Sequence, residues 1–146
     1  MDNIETATTI LELLLTKLGI EHSISYNSDE NSLNIDSPDH ALLIGKKGDT
    51  LRALQHILNV LMKRQDPDMQ WCVIDVAGYK RERLVKLQAI AESIAKEVLE
   101  NGRPKRLPPM NSFERMQIHT FLAKSPEIIT ESEGQEPNRL IVVKKR

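Results

Sequence analysis

The stretch Ile44-Gly45-Lys46-Lys47-Gly48-Asp49-Thr50, followed at once by a long amphipathic segment, decides how the rest of the chain is read. Glycine admits positive φ and lets another backbone come close, because no Cβ intervenes. Asp49 or Thr50 is placed to cap the next helix, and the unpaired amides of a helix start attract anions. Lys46 and Lys47 have no apolar task in so tight a turn, and their charges repel unless an anion is present. The segment therefore reads as a phosphate cradle, which Arg52, one turn into the helix, extends. A nucleotide-binding loop is excluded, since Gly-x-x-x-x-Gly-Lys-Ser/Thr would need glycine at His40 and a hydroxyl residue at Lys47. Two glycines three apart also occur in plain turns, so the surrounding order of elements has to carry the argument.

Leu11, Leu14, Leu15 and Leu18 recur at helical spacing before Gly19, which predicts a helix over residues 3–18. Ile20, His22, Ile24 and Tyr26 then alternate with polar residues, as do Leu33 and Ile35, and Asn27 to Asn31 reads as a hairpin turn. Pro38 opens a short helix that ends at the glycine loop, and Leu51, Leu54, Leu58, Leu61 and Met62 mark the buried stripe of the helix after it. Trp71 to Val76 is a strand, with Trp71 expected to pack in the core or at the edge. The order to this point is α-β-β-α-α-β. Gly78 marks a boundary, after which Leu84, Leu87, Ala91, Ile94, Ala95 and Val98 give a long helix ended by Gly102. Prolines 104, 108 and 109 keep the next segment extended. Asn111 or Ser112 can cap a helix carrying Met116, His119, Phe121 and Leu122. Two last strands, Ile128 to Thr130 and Leu140 to Val143, are joined by an acidic turn from Glu131 to Asn138.

At 146 residues with 40% hydrophobic content and only 3% aromatics, the chain suits one ordinary domain or two small ones with aliphatic cores. The net charge of −1 gives no global footprint for nucleic acid, but its distribution is uneven. Residues 1–36 carry seven acids against one lysine, while residues 37–64 carry five basic groups against two acids and residues 78–110 eight against four. Positive charge is thus gathered around the glycine loop and one later helix, which fits a local patch. The lone Cys72 cannot form an internal disulfide and reads as a buried thiol in a reducing compartment. The acidic N-terminus does not resemble a secretory signal, and no apolar run reaches membrane-spanning length, so a soluble, cytoplasmic chain without membrane insertion is expected. No metal-ligand spacing or nucleophile–base pair is present, so no cofactor, metal or catalytic residue is expected.

Residues 1–78 resemble a KH domain of type II, with Ile44-Gly45-Lys46-Lys47-Gly48 as the GxxG loop that clamps nucleotide backbones. Residues 79–146 resemble the R-three-H domain, named for an arginine and a histidine separated by three residues, here Arg115 and His119. Pro109-Met110-Asn111, the segment Thr130 to Arg139 and Asp75-Val76-Ala77-Gly78-Tyr79-Lys80-Arg81-Glu82-Arg83 extend that resemblance to the bacterial Jag (KhpB-like) family over nearly the whole chain. The resemblance implies an α+β fold and a cytoplasmic RNA-binding protein that is not an enzyme. It also implies an RNA chaperone or post-transcriptional regulator, with a family link to cell-envelope homeostasis and cell shape. The partners it implies are single-stranded RNA, with single-stranded DNA as the near alternative, and a small single-KH protein or a second copy of the chain. Many relatives carry a further N-terminal domain and linker. Here the first KH helix starts near residue 3, which puts membrane-proximal partnering in doubt.

The nucleic-acid contacts expected are Ile44 to Thr50, Arg52, Arg115, His119 and Arg139. Arg115 and His119 share a helix face, about 5–6 Å apart at Cβ. The guanidinium offers a fork for phosphate and the imidazole can bond or stack on a base. They could equally brace the acidic turn, with Arg115 pairing Glu131, Glu133 or Glu136. The competing function is a protein-interaction scaffold that has kept the KH fold.

Overall fold

The first helix follows the leucine spacing. In the computed structural model, which describes residues 2–146, α1 spans Asn3–Lys17, and Asp2 caps it by accepting from the Glu5 amide at 2.8 Å. β1 (Ser23–Asn27) starts three residues later than the alternation suggested. The reason is local: the Ile20 amide still donates to Leu15 O at 3.0 Å and the His22 ring bonds Ile20 O, so these residues close off the helix end.

β2 (Ser32–Asp36) pairs antiparallel with β1 and parallel with β3 (Val73–Val76), giving a sheet in the order β1-β2-β3. A parallel pair needs a long crossover. It is supplied by α2 (His40–Ile44), a tight turn at Lys46–Gly48 and α3 (Asp49–Gln65). α3 buries Leu51, Leu54, Leu58 and Met62 with Leu33, Ile35, Ile74 and Val76 of the sheet and Ala7, Leu11 and Leu15 of α1. Each such side chain contributes about 1.5–3 kcal/mol on full burial. Cys72 joins this core as a free thiol, and burial pushes its pKa up. Trp71 does not pack as expected: the strand begins two residues later, and the indole is 64% exposed.

β3 lies at the edge of its sheet, yet three of its outward groups are occupied. Ala77 N–H turns inward to Ile35 O, so Cys72 O, Ile74 N–H and Val76 N–H face away from β2. Gln55 of α3 donates its amide to Cys72 O and accepts from Ile74 N–H, both at 2.7 Å, and Asp75 accepts from Val76 N–H at 2.8 Å. Ala77 (φ 50°) and Gly78 (φ 69°) then turn the chain sharply into α4 (Tyr79–Asn101).

Contacts divide the chain into two units, one ending at Lys80 and the other running from Arg81 to Arg146. The second unit contains most of α4, β4 (Lys105–Arg106), α5 (Ser112–Leu122), β5 (Ile128–Glu133) and β6 (Leu140–Lys145), with an antiparallel sheet in the order β4-β6-β5. Its core joins Leu87, Ala91 and Val98 to Ile118, Leu122, Ile141 and Val143. Asn111 caps α5 in a reciprocal box with Glu114, whose buried carboxylate also accepts from Arg83 Nε at 2.8 Å. The turn after β5 is shorter than expected, because Glu131 and Glu133 belong to the strand. They occupy its exposed face and pair with Lys144 and Arg106, while Thr130 and Ser132 between them are half-buried.

Candidate nucleic-acid interface

The GKKG turn is held in a conformation that few residue types tolerate. Gly45 sits at φ 70°, and a Cβ there would stand 2.2 Å from Thr50 Oγ1. Lys47 also adopts a left-handed backbone, φ 55° and ψ 27°, which costs a non-glycine residue about 1–2 kcal/mol. Gly48, at φ 79°, is buried against Tyr79, whose Cε1 would lie 2.9 Å from an added Cβ. Gly48 occupies the cap position of α3 without any side-chain cap, so Asp49 and Thr50 do not fill the capping role expected of them. Asp49, the first helical residue, instead forms an ion pair with Arg52, whose guanidinium also donates to Lys47 O at 3.1 Å. Arg52 is therefore tied to the loop backbone. Ile44 is half-buried at the end of α2, and Lys46, Lys47 and Thr50 are exposed. Among the described residues neither lysine has an ion-pair partner. The turn thus offers two uncompensated ammonium groups on a backbone fixed from beneath.

In the second unit, Arg115 is buried to 8% exposure. Its Nη1 donates to Met110 O at 2.6 Å and lies 3.0 Å from Glu136 Oε1. His119 Nδ1 is 2.7 Å from Thr130 Oγ1 and its Nε2 is 3.0 Å from Ser132 Oγ, so both ring nitrogens are engaged by β5. Arg139 donates to Gly134 O at 2.8 Å across the β5–β6 turn. All three side chains expected at nucleic acid are therefore also engaged within the second unit, Arg115 and Arg139 at the β5–β6 turn and His119 between α5 and β5. Of the three acids placed opposite Arg115 by the sequence, Glu136 is the one it meets.

Burial, and then the Arg115 charge, lowers the pKa of His119 below the 6.5 of a free imidazole. The folded state thus favours the neutral ring, and its contribution to stability is present above pH 6.5 and lost as pH falls through the lowered folded value. His119→Gln is expected to flatten that acid-side loss of Tm relative to the native chain. An imidazole titration by NMR with its midpoint at or above 6.5 would contradict the assignment.

Reading by residue type missed Tyr79 behind the loop and the hydroxyls of Thr130 and Ser132. The second had a signal, since Thr-Glu-Ser-Glu alternates as an exposed strand does.

Two family models match the chain. Residues 5–72 match the KH domain of KhpA/KhpB, and residues 85–145 match the R-three-H domain. The chain belongs to the Jag (KhpB-like) family. Curated relatives include proteins named RNA-binding protein KhpB from Lactiplantibacillus plantarum, 37% identical over 89% of this chain and 41% of its own length, and from Clostridium symbiosum, 31% identical over 86% and 58%. A third, from Bacillus subtilis, is 28% identical over 98% of this chain and 71% of its own length. The chain spans about half the length of the first two. The two matched domains, KH and R-three-H, are binding domains. No helix among the described residues is long and apolar enough to cross a membrane.

Proposed function

We propose that this chain binds single-stranded RNA by its phosphate backbone through the GKKG loop, acting in the cytoplasm as an RNA chaperone or post-transcriptional regulator. The observation that carries the reading is the pair of exposed lysines, without counter-ions among the described residues, on a turn whose backbone is fixed by Thr50, Arg52 and Tyr79. The name RNA-binding protein borne by the relatives supports it. Arg115 contributes chiefly by bracing the β5–β6 turn through Glu136 and His119 by tying α5 to β5, so that the second domain presents a preformed surface as an additional grip. A small single-KH protein or a second copy of the chain remains the protein partner that family membership suggests, and the link to cell-envelope homeostasis belongs to the same level of inference.

Affinity measured over a range of salt tests the reading. If the loop neutralises phosphates, log affinity falls linearly with log salt, by about 0.7 per phosphate contact on a single strand. Removing Lys46 or Lys47 should reduce the slope by close to one contact. A flat response would favour the scaffold alternative.

A further inference from the structure

The phosphate loop is pinned at three points, and two of them lie in its own neighbourhood of sequence. Thr50 fills the space beside Gly45, and Arg52 holds the carbonyl of Lys47. The third comes from beyond the sheet. Tyr79 fills the space behind Gly48, where an added Cβ would meet Cε1 at 2.9 Å and the hydroxyl oxygen at 3.3 Å.

Tyr79 is itself held in place. It is the first residue of α4 and packs on the core of the first unit. The buried Asp75 carboxylate accepts from Val76 N–H at 2.8 Å and from Lys80 N–H at 3.4 Å, which ties the first turn of α4 to the end of β3. The left-handed Ala77 and Gly78 make that reversal sharp enough to bring the ring back to the loop, and Ala77 N–H bonds Ile35 O at 3.3 Å.

We propose that Tyr79 is a positioning residue for the phosphate-gripping loop, acting through Gly48 without touching the bound strand. The proposal rests on the reading that the loop binds RNA. Gly45, Lys47 and Gly48 all sit at positive φ, so the turn has many alternative conformations once its rear support is removed. Ordering it again on binding then costs affinity, although both lysines are still present.

The test uses the full chain and a short fluorescent oligouridylate, with amide hydrogen exchange of residues 45–48 followed alongside. Tyr79→Ala should weaken binding about tenfold, the cost of re-ordering one short segment, and should speed exchange in the loop. Tyr79→Phe, which keeps the ring, should bind like the native chain. Tyr79→Leu keeps apolar volume against the core without the flat ring, and should show the same tenfold loss and faster loop exchange where alanine fails to fold. Native affinity and native loop exchange in Tyr79→Leu would overturn the proposal. Lys46→Asp with Lys47→Asp serves as the control for the underlying reading. If that double variant binds as the native chain does, the RNA site lies elsewhere. Loop exchange then decides separately: faster exchange in Tyr79→Leu supports the ring as the support of Gly48, and unchanged exchange refutes it.

Discussion

Reversing both loop charges, Lys46→Asp with Lys47→Asp, is expected to abolish most RNA binding and leave the fold intact. Both side chains are exposed, and neither contributes to the apolar core, so melting should be unchanged. Each charge-assisted contact to phosphate is worth about 1.5–3 kcal/mol. Losing two therefore removes about 3–6 kcal/mol, roughly a hundredfold to ten-thousandfold in affinity. The measurement is a titration of labelled single-stranded RNA together with a thermal melt of each protein. Undiminished binding by a normally folded variant would place the interface away from the GKKG turn.

The second large effect is one of stability. Arg115→Ala removes a buried guanidinium from between Met110 O and the Glu136 carboxylate and leaves the carbonyl without that donor. An unsatisfied buried polar group costs about 1–3 kcal/mol. For a unit of this size a loss near 2–3 kcal/mol lowers Tm by on the order of 10–20 °C. RNA binding, measured well below that lowered Tm, should fall far less than in the loop variant. A variant that melts normally but binds tenfold more weakly would show that Arg115 touches RNA and is not chiefly a brace. His119→Gln should act in the same direction with smaller size, since an amide can still bond one of the two hydroxyls on β5.

The helices and the KH order were legible because they rest on periodicity. The Leu51, Leu54, Leu58, Leu61 and Met62 stripe needs only the helical repeat, and all of it is buried except Leu61, which is half-buried. A cap at Asn111 or Ser112 was legible for a similar reason, since a short polar side chain before an apolar run is a local signature, and Asn111 is the one that fills it. Features set by distant residues were not legible. Trp71 looked like packing material because aromatics usually are, and nothing local says that the strand starts after it. The end of β5 is hidden because a run of acids beside glycine and proline has the composition of a turn, whereas Lys144 and Arg106 across the sheet pair with these acids in the strand. The role of Arg115 could not be chosen from spacing alone, because the carbonyl it reaches belongs to the segment before α5 and its carboxylate to the turn after β5. Tyr79 lies within a recognisable motif, but its contact with Gly48 depends on a strand reversal that leaves no periodic trace.

Gln55 carries a consequence for selectivity. Sheet edges commonly recruit an extended ligand by offering it a ladder of free main-chain groups. Here one carboxamide occupies Cys72 O and Ile74 N–H, and a carboxylate occupies Val76 N–H. Along β3 the domain has, in effect, already bound a side-chain mimic of a further strand. An extended peptide approaching this edge meets three main-chain groups that are already bonded, which weakens the ladder it could form.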